Sequence, residues 1–121
     1  MDDRSFGAEV SEVPEEVRVR LHGDLNNRAD ETLANAYQQV VALDPHRVSL
    51  DFTRVGYINS TGIALIVGLL AQARARGIQI TAFGLSEHYR EIFEITRLAD
   101  FMTIADNENG AVDGAERSNH A

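Results

Sequence analysis

From Val48 to Gly77 the chain passes from a short strand-like stretch, through Asn59-Ser60-Thr61-Gly62, into an almost wholly apolar helical stretch. Val48 to Phe52 reads as a short buried strand that Val55 to Ile58 continues, and Gly77 suits the position just past a helix end. A strand feeding directly into such a helix is the unit of an α/β layer fold, and the flanking segments repeat the alternation. Val17, Val19 and Leu21 alternate with Arg18, Arg20 and His22, the period of a half-buried strand. Phe6 to Val13 is a weaker strand candidate, and Pro14 separates the two as in a hairpin. Gly23 to Asn27 breaks the strand pattern and offers caps. Ala29, Leu33, Ala36, Tyr37 and Val40 fall on one helical face, with Asp30 and Glu31 in the first turn, and Asp44-Pro45 ends the helix. Ile78 to Phe83 predicts another strand. Ser86 caps a helix running through Ile95, with Tyr89 and Phe93 in the core, and Phe101 to Ile104 predicts a last strand. The order expected is strand, strand, helix, strand, helix, strand, helix, strand.

Composition narrows the chemistry. The 121 residues match the size of one domain, expected over residues 6–106 between an acidic extension at 1–5 and an acidic, disordered tail at 107–121. There is no cysteine and no lysine, so thiolate nucleophiles, cysteine-held metals, a phosphate-binding loop lysine and a Schiff base are all excluded. The formal charge of −8 is carried by the two ends, while residues 17–105 hold nine arginines and nine acids. No basic stripe is present, so nucleic acid is not an expected partner. The longest apolar run, Ile63 to Ala71, is too short to insert into a membrane, and the acidic N-terminus lacks a signal core, so a cytoplasmic protein is expected.

Asp51 to Gly62 carries the chemistry. A strand there delivers two hydroxyl residues to a helix start, where unpaired N–H groups and the helix dipole favour an anion. A phosphate on Ser60 would use those donors and add nearly two negative charges at one point. Ser60 or Thr61 serving only as the helix N-cap is the structural alternative. In the helix that follows, Ile63, Ile66, Val67, Leu70 and Ala73 form the expected core arc. Ala64, Gly68, Ala71 and Ala75 make a second stripe of small residues, open either to a neighbouring helix of the same domain or to a partner. Leu65 is expected to be partly exposed beside Ser60.

Other motifs fail. Ile58 stands where a nucleophile elbow needs glycine. His22, His46, His88 and His120 have no metal-ligand spacing, so no metal or cofactor is expected. The glycosylation sequon at Asn59 has no secretion signal behind it. A Ser60–His22–Asp24 hydrolase can be drawn but is disfavoured.

Gly-Asp-Leu-Asn at 23–26, Asp-Phe-Thr-Arg-Val-Gly-Tyr-Ile-Asn-Ser-Thr-Gly at 51–62, the apolar helix after it and Gly84 to Leu98 together resemble the STAS family, above all its bacterial anti-sigma-factor antagonists. The resemblance covers roughly residues 8 to 105. It implies a mixed sheet of about five strands with helices packed mainly on one face. It also implies a non-enzymatic module that binds an anti-sigma factor, itself a serine kinase of the histidine-kinase-like ATPase fold. That kinase would phosphorylate Ser60, with Thr61 and Gly62 completing the motif, and a serine phosphatase would reverse it. Asp24, Asn26, Asn59, Ala64, Leu65 and Gly68 join these three as the expected partner-binding residues. Two positions depart from the family pattern: Asn59 and Asn26 stand where acids are usual, keeping a carbonyl acceptor without the charge. A STAS accessory subunit of a membrane transporter and a phosphorylation-insensitive scaffold are the alternatives. The expected state is a monomer or a weak homodimer paired through an exposed sheet edge.

Overall fold

Pro14 and a positive φ of 69° at Glu15 turn the chain between its first two strands, β1 (Gly7–Val13) and β2 (Glu16–Leu25). In the computed structural model, which describes residues 4–106, α1 (Asp30–Leu43), β3 (Arg47–Ile58), α2 (Ser60–Ala75), β4 (Gln79–Phe83), α3 (Glu87–Ile95) and β5 (Thr103–Ala105) follow. Short 3-10 turns at Asn27–Ala29 and Leu98–Asp100 complete the path. The order of strands and helices is the expected one. The first three residues of the acidic extension and the tail at 107–121 lie outside the described residues.

The five strands lie in sequence order. β1 is antiparallel to β2, and β2, β3, β4 and β5 run parallel, giving the mixed sheet. Because strand side chains alternate between faces, Val17, Val19 and Leu21 of β2, Val48, Leu50 and Phe52 of β3, and Ile80 and Ala82 of β4 share one face. That face packs on Leu33, Ala36, Tyr37 and Val40 of α1, on Ile66, Leu69, Leu70 and Ala73 of α2, and on Phe93 of α3, forming a single core. Phe52 and Phe93 meet edge to face, with ring centroids 5.9 Å apart. All three helices therefore cover the same side of the sheet.

Four local expectations are corrected. β2 does not break at Gly23 but continues to Leu25, because β3 pairs with it as far as Ile58 across two register irregularities. Gly23 permits this at φ +83°, where a side chain would also overlap the Ser5 carbonyl. Val67 is 46% exposed, and Leu69 takes its expected place in the core. The last strand starts two residues later than expected, leaving Phe101 exposed with the Arg74 guanidinium 5.2 Å from its ring centroid. Arg18 is not a solvated residue on the polar side of β2: it is 5% exposed on the helix-free face, beside buried Glu16 and Ser49. Its Nε donates to Ser49 Oγ at 3.1 Å, its guanidinium pairs with Glu16 at 3.0 Å, and it lies over Phe83.

Candidate functional site

The end of β3 and the start of α2 are held against the end of β2. Leu25 pairs with Ile58, and the Asn59 N–H donates to the Leu25 carbonyl at 3.2 Å. Gly62 is buried against the same carbonyl, and a Cβ there would overlap it, so only glycine lets the first turn of α2 approach this closely. On the other side, the Ile58 N–H donates to the Tyr89 hydroxyl at 2.9 Å, tying the strand end to α3. Tyr89 is thus half-buried with a polar task rather than a purely apolar core residue.

Neither Ser60 nor Thr61 caps α2. The N-cap is Asn59, with extended backbone, and its Oδ1 accepts from the Gly62 N–H at 2.8 Å. Ser60 is the first helical residue, exposed, and its hydroxyl bonds to no described group. Thr61 is exposed beside it. The helix has no acid in its first turn, so the positive end of its dipole is unopposed there. An anion added at Ser60 Oγ meets a favourable field and open space. Replacing Asn59 with alanine is expected to cost about 1 kcal/mol, the usual loss of an N-cap. Asn59→Asp is expected to keep the parent stability, because its carboxylate still accepts from Gly62; urea unfolding of the two variants measures the difference.

The rest of the rim comes from the β2 end. Asp24 is half-buried in register with Tyr57, and its carboxylate lies beside Gly56. Asn26 caps the 3-10 turn, its Oδ1 accepting from the Arg28 N–H at 2.9 Å. Both Asn26 and Asn59 thus serve as caps, a job that needs an acceptor but no charge. His22 lies three residues before Leu25, its ring filling the space over Gly7, and takes no part in this rim.

On α2, the small stripe of Ala64, Gly68, Ala71 and Ala75 is exposed, and no helix among the described residues covers it. Ala64, Leu65 and Gly68 face Leu33, Ala34 and Tyr37 of α1 across a groove of about 220 Å³. Leu65 is half-buried, as expected. Tyr57, 56% exposed, belongs to the rim and was not among the expected partner residues. Its signal is faint in the sequence, since the irregular pairing of β3 hides which way residues 53–57 face.

The family described as Mlab, STAS domain matches residues 8–104, and the chain belongs to the STAS domain family. An anti-sigma-B factor antagonist of Listeria monocytogenes is 38% identical over 65 residues, 54% of this chain. The chain spans 56% of the length of that relative. Among solved structures, an anti-sigma factor antagonist from Mycobacterium paratuberculosis superposes with a TM-score of 0.75 at 18% identity, covering 93% of this chain and 96% of that one. The Bacillus cell fate determinant SpoIIAA in its phosphorylated form gives 0.66 at 23% identity, over 92% and 99% of the two chains. These likenesses establish the STAS fold. No helix among the described residues is long and apolar enough to cross a membrane.

Proposed function

We propose that this chain is an anti-sigma-factor antagonist whose hold on its partner is gated at Ser60. One observation carries the reading: an exposed serine hydroxyl opens a 16-residue helix whose capping is done by the preceding asparagine. The hydroxyl is therefore available to a kinase, and its modification leaves the cap and the fold undisturbed. The name of the Listeria relative supports the class of partner. The partner surface is the rim of Asp24, Asn26, Asn59, Ser60, Thr61 and Gly62, continued along Ala64, Leu65 and Gly68. The partner is an anti-sigma factor that is also a serine kinase of the histidine-kinase-like ATPase fold, opposed by a serine phosphatase. A dianion planted in a fitted interface releases it by repulsion and desolvation.

Affinity capture from the native host, with mass spectrometry of both the partners and the Ser60 peptide, tests this reading. The expected result is an anti-sigma kinase recovered with unmodified bait, and a phosphorylated Ser60 pool that lacks it. Recovery of a transporter ATPase with Ser60 unmodified assigns the chain to membrane transport instead. An anti-sigma partner held equally by both forms reduces it to a phosphorylation-insensitive scaffold.

A further inference from the structure

β1 is an edge strand, and no described strand pairs with its outer side. Natural sheets block such edges with short strands, bulges, internal proline or charged side chains. The opposite edge, β5, has only three residues, whereas β1 has seven in unbroken register with β2, and its proline comes only after the strand, at Pro14. What β1 does carry is two exposed carboxylates, Glu9 and Glu12, and these select among possible pairings.

We propose that β1 pairs antiparallel with β1 of a second copy of this chain, about a two-fold axis at Val10. This register uses every residue from Gly7 to Val13. Gly7 then faces Val13 of the second copy, Ala8 faces Glu12, Glu9 faces Ser11, and Val10 faces Val10. No two like charges are directly opposed. A shift of two residues one way sets Glu9 against Glu9, which is unfavourable, and the same shift the other way leaves Gly7 and Ala8 unpaired. A one-residue shift would turn the helix-covered face of one copy away from that of the other. Ala8 and Val10 already pack against the core on the helix side, so the Val10 pair extends that apolar face across the axis. β2 separates β1 from β3, the strand that leads into Ser60.

Sedimentation equilibrium of the full chain, up to about 1 mM, tests the proposal. A reversible monomer–dimer equilibrium is expected. Ser11→Glu should raise its dissociation constant about five- to tenfold, because each new carboxylate faces Glu9 of the other copy at two symmetric places. The double change Glu9→Lys with Ser11→Glu should restore the parent value or tighten it. Concentration-dependent protection of β1 amides in hydrogen exchange supplies a readout that needs no variant. A chain that stays monomeric throughout overturns the proposal. So does a dimer indifferent to Ser11→Glu, one not rescued by the charge exchange, or one whose β1 amides gain no protection.

Discussion

Replacing Ser60 with aspartate is expected to weaken binding of the proposed anti-sigma partner at least about tenfold, or ~1.4 kcal/mol. A buried like charge or an unpaired, desolvated carboxylate at the centre of an interface commonly costs several kcal/mol, so tenfold is a lower bound. The fold should be untouched. Ser60 is exposed and bonds to no described group, and the cap belongs to Asn59. The free protein should gain slightly, since a carboxylate at the acid-free first turn of α2 complements the helix dipole by about 0.3–1 kcal/mol. Binding and stability thus move in opposite directions, which separates gating from damage. Ser60→Ala should bind like the parent and become insensitive to the kinase. Titration calorimetry with the captured partner, alongside urea unfolding, reads both quantities; an aspartate variant that binds at full strength contradicts gating at this residue.

Replacing Glu16 with alanine is expected to destabilise the domain by about 3–5 kcal/mol, the usual penalty for removing one member of a buried ion pair. Glu16 receives the Ser49 hydroxyl hydrogen bond and pairs with Arg18, and all three residues are buried on the face that carries no helix. Without the carboxylate, a buried guanidinium loses this counter-ion, and Ser49, completely buried, loses its acceptor. Domains of this size have about 5–15 kcal/mol of total stability, so the variant should unfold at a much lower urea concentration. Exchanging the whole cluster for apolar residues of similar volume should be far milder, because the desolvation cost disappears together with the attraction. Equilibrium urea unfolding distinguishes these cases. A Glu16→Ala variant within about 1 kcal/mol of the parent would mean that solvent reaches the cluster.

The alternation of strands and helices was legible because burial of one face imposes a period on each element separately. Val17, Val19 and Leu21, or Leu33, Ala36, Tyr37 and Val40, announce their inward side whatever packs on them. Pro14, Asp44 and Ser86 punctuate the chain for reasons equally local. Ser60 stood out from its place between a strand and an apolar helix, and the structure puts it, exposed, at that helix start. The face of Val67 was misread because a helix that is apolar nearly all round has little asymmetry to reveal its buried side.

What the residues determined unaided was the type and order of the elements and the segment carrying the hydroxyl. These depend on neighbours one to four positions away. The tertiary structure decided that Asn59, rather than the hydroxyls, caps α2 and leaves Ser60 free. It decided that Asp24 and Asn26 share a rim with Ser60, and that Arg18 is buried with Glu16 and Ser49. The cap is local, Asn59 accepting from the Gly62 N–H three residues on, but the rim and the buried cluster rest on contacts between strands far apart in the chain, where a one-residue bulge in β3 changes which side chains meet.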